Sequence, residues 1–264
     1  MIQLELCKKC KKRKFELQRG IICGLTSEKP SFENHCPDFE NDETHIEFKR
    51  SDLNPNNQRA KIALSMIGIV LGLEIISLVS SGFQYDLLQT VSNGGDVSYE
   101  AAEANDLREQ IIGIIFIIAY IISGITFIMW FRRAYYNLHQ KVNNLSYTDG
   151  WAAGSWFVPI VNLFRPYQIM KELYVESKRY IIGNDDSLQL DLNTNFVGIW
   201  WALWILAGVL GQIVYRLSLN AVTLSELTTV TILSMISGVI GIALGIVTLK
   251  VIRDYSKVEG LLEC

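Results

Sequence analysis

Cys7, Cys10, Cys23 and Cys36 are spaced as C-x2-C, twelve residues, C, twelve residues, C. A C-x2-C pair lets two thiolates reach one ion, and a set of four sulfurs suits tetrahedral zinc. Gly20 and Gly24 flank Cys23, and Pro37 follows Cys36, so the two distant thiols sit where the chain turns readily. The second half is not another C-x2-C, which leaves His35 and His45 as alternative ligands. Four sulfurs fill the coordination shell and admit no water, so the expected zinc is structural. About 40 residues form too small a core to fold well without such a staple.

Three further residues have chemistry that a bilayer makes costly. Glu74 is an ionisable residue inside a long apolar run, and such a carboxyl must be neutral, paired or turned towards water. Tyr120 and Ser237 stand at the same count of nine residues from the ends of their own apolar runs, so the three side chains are expected at similar depth. Arg165 and Asn162 lie in a different stretch, between Pro159 and Pro166. The planar fork of Arg165 fits a phosphate or a carboxylate, and its alternative role is to snorkel or to cap a neighbouring carbonyl. Enzyme chemistry finds little support. The histidines His35, His45 and His139 are not spaced as a metalloprotease pair, Ser155 has no evident base, and no phosphate loop or nucleophile elbow occurs.

The elements that must position these groups are set by composition. Of 264 residues, 50% are hydrophobic, and the formal net charge is −3. Four windows, 62–83, 111–131, 196–215 and 228–249, are apolar over about 20 residues, the length that crosses a hydrocarbon core of about 30 Å. The predicted fold is an all-α membrane protein with four transmembrane helices. A cysteine-rich module over 1–42 and a polar linker over 43–60 precede the membrane domain at 61–257. Near the windows, Arg59, Lys61, Arg132, Arg133, Lys141, Lys250, Arg253 and Lys257 gather on one side. The loop expected over 84–109 carries six acidic residues against Arg108 alone. The positive-inside rule then puts both termini and the 132–195 segment in the cytoplasm, as a multi-pass protein of the inner (plasma) membrane. No signal-like apolar core precedes the first window, so that window is expected to direct insertion. Cytoplasmic thiols stay reduced, which favours metal over disulfides.

Between the second and third windows, residues 150–181 are apolar but interrupted by Pro159 and Pro166, which makes them too broken to span. Ile169, Met170, Leu173 and Tyr174 recur at helical spacing among Lys171, Glu172, Lys178 and Arg179. The pattern predicts an amphipathic or re-entrant segment, lying on the membrane or packed beneath the spans. Gly68-x3-Gly72 and Gly241-x3-Gly245 offer small-residue grooves for helix packing, with homo-oligomer formation as the alternative. The run Lys8 to Lys14 is nearly balanced by acids from Glu28 onward, which disfavours nucleic acid and leaves a solvated face or a contact with anionic lipid.

Phe131-Arg132-Arg133 with Tyr136 and Asn137, then Trp156-Phe-Val-Pro159, Asn162-Leu163, Arg165-Pro166 and Met170, and later Trp200-Trp201, resemble a bacterial membrane family named as domain of unknown function 4328, over roughly 61–252. The N-terminal stretch also resembles short cysteine-rich, zinc-ribbon-like modules that precede membrane domains. Neither resemblance implies a reaction or a ligand. The reading from sequence is a non-enzymatic anchor, sensor or interaction module with a cytoplasmic zinc-bearing head, whose partners are the bilayer and a cytoplasmic protein or anionic lipid. The alternative is a small oligomeric transporter or channel that uses Glu74.

Overall fold

The computed structural model describes residues 7, 10–16, 20–26, 28–29, 31–32, 36–40, 53–184 and 192–263. The chain divides into two compact units, Met1–Ser51 and Asp52–Cys264. In the first, β1 (Arg13–Glu16) pairs antiparallel with β2 (Gly20–Cys23), in a register that sets Arg13 opposite Cys23.

The second unit is helical. Its elements are α1 (Asn57–Ser92), α2 (Tyr99–His139), the short α3 (Asp149–Gly154), a 3-10 turn (Val161–Leu163), α4 (Arg165–Asn184), α5 (Asn195–Ser218) and α6 (Leu224–Glu259). Four of these, α1, α2, α5 and α6, are long and apolar enough to cross a membrane. A chain in hydrocarbon must satisfy its backbone internally, which is why these runs are unbroken helix. Only 11 to 17% of the most apolar 18-residue stretch of each helix is buried inside the protein, which is compatible with a surface that faces an apolar solvent.

Two of the connections differ from the expected loops. The 36 residues of α1 extend about 54 Å, well beyond a hydrocarbon core of about 30 Å. Most of 84–109 is therefore helix and not loop, and only a short turn joins α1 to α2. Gly94 closes α1 with a φ of 78°, a conformation that glycine adopts without strain. Ser98 caps α2 by accepting from the Ala101 N–H at 3.2 Å. The extensions are fastened to one another. Arg108 donates to Ser80 Oγ at 2.8 Å and to Asn105 Oδ1 at 2.5 Å, while Ser80 donates to Glu109. At α6, Thr223 and Glu226 form a capping box, with the Thr223 N–H donating to Glu226 at 2.9 Å.

The end of the bundle where α1 and α5 begin and α2 and α6 finish is called the basal end below. The tightly packed core lies there: Trp130, Phe131, Tyr135 and Leu138 of α2 meet Ile169, Met170, Leu173 and Tyr174 of α4, Trp200 of α5, and Ile252 and Tyr255 of α6. Helices in lipid gain little from hiding apolar surface from one another, whereas elements that leave the bilayer do. The amphipathic face of α4 is consumed by this core. Tyr174 Oη donates to the Val251 carbonyl at 2.7 Å, and Ser177 shares a 3.3 Å hydrogen bond with Tyr255. Of the two settings expected for this segment, on the membrane or packed beneath the spans, the packing agrees with the second: the apolar face of α4 is buried within the unit. The end of the stretch read as a linker is also fastened, since Leu53 and Asn56 are buried.

Candidate functional site

In the N-terminal unit, a Cys10 N–H donates to the Cys7 carbonyl at 3.3 Å, which makes a tight turn. The Gly24 N–H reaches the Lys12 carbonyl at 2.7 Å, and a Cβ at residue 24 would stand 2.6 Å from that oxygen, so only glycine permits the approach. The Lys11 N–H donates to the Glu40 carbonyl at 2.8 Å, drawing the chain after Cys36 back to the Cys7–Cys10 turn. As a result Cys7, Cys10, Cys23 and Cys36 all line one cavity, together with Lys12, Lys29 and Asp38. Burial, and then the neighbouring Cys10, Cys36 and Cys23, push the Cys7 thiol above its ordinary pKa. Backbone N–H groups of Thr26 and Leu25 hold Cys23 below its own. None of the four is in a disulfide. Among the described residues no group of three or more His, Cys, Asp or Glu side chains is placed to hold a metal ion. His35 and His45 lie outside the described residues.

The expected grouping of Glu74, Tyr120 and Ser237 is only partly realised. The Glu74 carboxyl rests in a notch on α6, in contact range of Gly241 and 3.6 Å from a Cβ placed on Gly238. Ser237 is on the same helix, one residue from Gly238. Tyr120 is 55% exposed and stacks on Phe116, with ring centroids 6.0 Å apart. No hydrogen bond joins the three among the described residues. Leu71 lies over Gly245 as Glu74 lies over Gly241, so this glycine pair packs α1 against α6 within one chain. Gly68 and Gly72 face open space.

Arg165 opens α4 ahead of Pro166, a residue suited to the first turn of a helix. Its guanidinium carbon sits 4.3 Å from the centroid of the Tyr147 ring, 5.6 Å from Phe164 and 5.9 Å from Trp151. Its Nε is buried without a hydrogen-bond partner. The carboxylate nearest in sequence, Glu172, is engaged elsewhere: Tyr135 Oη donates to it at 2.5 Å and the Ser146 N–H at 2.7 Å. Asp149 stands 3.6 Å from Arg132. Asn162 is half-buried and, with Leu163, borders a groove along α5 past Trp204, Gly208 and Gln212 to Arg216. The loop between α3 and α4 is fixed from behind, because Trp156 is ringed by Phe127, Trp200, Trp201 and Trp204, and Trp201 Nε1 donates to the Leu163 carbonyl at 3.1 Å.

Sequence reasoning missed a polar clasp at the basal end. Glu259, 7% exposed, accepts from Asn137 Nδ2 at 2.7 Å and from Asn56 Nδ2 at 3.0 Å, and Asn137 also exchanges hydrogen bonds with the Asn54 backbone at 3.0 and 3.1 Å. The clasp ties the start of α1 to the ends of α2 and α6. No local signal marks it, since the run Asn54-Pro55-Asn56-Asn57 is turn-prone in the way a linker is.

No curated protein and no solved structure matches the chain. A family model matches residues 93–257, which takes in α2 to α6 and starts later than the resemblance expected from residue 61. On that match, the chain belongs to the family described as Domain of unknown function (DUF4328).

Proposed function

We propose that the chain is a membrane-embedded module without an active site of its own, in which four spans hold a rigid cytoplasmic platform that serves as an anchor and sensing or interaction surface. The observation that carries this reading is the position of the core. The best-packed side chains lie at the basal end, from the basal turns of the apolar windows at Trp130 and Trp200 to Leu138, Leu173 and Tyr255 beyond them, and they fix the α3–α4 segment. Arg59, Arg132, Arg133, Lys250 and Arg253 belong to that end, against Arg108 and Arg216 at the other, which favours a cytoplasmic basal face in the plasma membrane of a bacterium. The N-terminal unit is read as a zinc-stabilised head. The four sulfurs lining one cavity, the thiol crowding at Cys7 and the N–H groups aimed at Cys23 fit a set of thiolates held by one structural zinc. Zinc analysis of the purified full chain tests the head: one ion per chain, lost in Cys10→Ser, supports it, and a metal-free chain whose head resists proteolysis counts against it. Crosslinking of the full chain in cells tests the platform. Cytoplasmic partners trapped from the exposed Ser146, ahead of α3, support it, and a basal end reachable only from outside opposes it.

A second reading rests on Glu74, whose carboxyl sits deep among apolar residues with no hydrogen bond among the described residues. An oligomer of this chain would then carry an ion or proton past that carboxyl. Ion flux into liposomes that disappears in Glu74→Gln favours this alternative over the first.

A further inference from the structure

Arg165 presents an arrangement that a purely structural arginine does not need. A guanidinium has five N–H donors and no acceptor, and it is satisfied by carboxylates, carbonyls or water. Here it is surrounded by Tyr147, Trp151 and Phe164, and its Nε finds no acceptor. Polar groups of the same segment bond elsewhere: Glu172 accepts from Tyr135 and Ser146, Asp149 stands beside Arg132, and the Gln168 side-chain oxygen accepts from the Tyr147 hydroxyl at 3.1 Å. No carboxylate pairs with Arg165 among the described residues.

The chain just before it has the opposite character. Phe157 is 76% exposed and Ile160 74%, and Leu163 and Phe164 are exposed as well. Ile160 has a φ of 67°, a conformation that a β-branched residue adopts only where its surroundings impose it. The rings behind Trp156 and the hydrogen bond from Trp201 to Leu163 supply that support, so an apolar tip is held outward beside an unpaired cation. Arg132 and Arg133 lie close enough to act on the charge of Arg59, which adds positive potential at the same end. Apolar side chains next to a cation match the boundary between acyl chains and phosphates. A soluble anion would use the cation and leave the tip in water.

We infer that Arg165 holds the phosphate of an anionic phospholipid in the adjoining leaflet, with Phe157 and Ile160 seated among its acyl chains. This rests on the platform reading above and names its ligand. The guanidinium donates to the phosphate oxygens, a pairing that its planar fork favours, and the three rings keep the fork oriented without competing for the anion.

The test is competitive lipid retention by the full chain in neutral detergent, read by native mass spectrometry. Phosphatidylglycerol and phosphatidylcholine of matched chains are offered in equal amounts. Wild type is expected to retain phosphatidylglycerol about fivefold to tenfold over phosphatidylcholine, the effect of a basic residue contributing about 1 kcal/mol or slightly more. Arg165→Gln should abolish the preference and Arg165→Lys should keep part of it. Arg179→Gln, which removes an exposed partner of Glu176, should leave it unchanged. Phe157→Ser with Ile160→Ser should lower retention of both lipids. Circular dichroism verifies that each variant is folded. Equal retention of the two lipids by wild type overturns the inference, as does a preference that survives in folded Arg165→Gln. Displacement of the lipid by millimolar inorganic phosphate overturns it in favour of a soluble anion site, and specific retention of a phosphopeptide in place of lipid overturns it in favour of a protein partner. Any of these results with α1 to α6 still inserted removes the lipid and leaves the platform reading standing; that reading fails separately if the basal end is reachable only from outside.

Discussion

Replacing Asn137 by alanine should destabilise the helical unit severely, although the residue touches no proposed ligand. Asn137 is 1% exposed and its amide makes three contacts: it donates to Glu259 at 2.7 Å and to the Asn54 carbonyl at 3.0 Å, and it accepts from the Asn54 N–H at 3.1 Å. The two neutral hydrogen bonds contribute about 0.5–1.5 kcal/mol each, and the one to the carboxylate about 1.5–3. Partial rescue by water reduces the sum, so the expected loss is about 3 kcal/mol, large for a single substitution. For a domain of this size that corresponds to a fall in melting temperature of about 6–12 °C. The assay is tryptophan fluorescence during heating of the full chain in detergent, since Trp130 and Trp200 lie in the same core. Asn137→Asp is the sharper control. It keeps the acceptor for Asn54 but sets a second carboxyl against Glu259, and should be no better than alanine. A melting temperature within about 3 °C of wild type for Asn137→Ala, or an aspartate variant as stable as wild type, would refute the claim that this clasp holds α1, α2 and α6 together.

Three other outcomes follow from the packing of α1 and its neighbours. Gly245→Leu should destabilise by about 1–3 kcal/mol through overpacking, because even a Cβ there meets Leu71 Cδ1 at 3.0 Å, whereas Gly68→Leu, which faces open space, should change the melting temperature little. Glu74→Gln should preserve expression and folding if the carboxyl has a structural role, and loss of pH-dependent behaviour in a protein that still assembles would mark a functional one. Ile118→Ala, on a surface 55% exposed, should cost far less than a core truncation in the same melting assay, which compares surface facing the bilayer with core at the basal end.

The spans were legible in the sequence because hydrocarbon demands long runs without charge, and 62–83, 111–131, 196–215 and 228–249 each lie inside one observed helix. Their continuation past the bilayer was not legible: the acidic stretch around Arg108 looks like loop until Ser80, Asn105 and Glu109 are seen to close on it. The break at Pro159 and Pro166 was legible from backbone chemistry alone. Whether the apolar face of α4 met lipid or protein was not, since both give the same 3.6-residue period. The clasp escaped because its partners are far apart in sequence, Asn56 and Glu259 by 203 residues. Arg165 was identifiable by type and setting, but of its three rings only Phe164 is its neighbour in the chain, and the fold brings Tyr147 and Trp151 to it.

The arrangement of the chain across the bilayer is tested most directly by labelling introduced cysteines in intact cells with a membrane-impermeant maleimide. Asn220→Cys, in the turn between α5 and α6, and Ser98→Cys, between α1 and α2, should be labelled from outside. Ser146→Cys, at the basal end, should react only after permeabilisation. Labelling of Ser146→Cys in sealed cells, or protection of both Asn220→Cys and Ser98→Cys, would contradict the account.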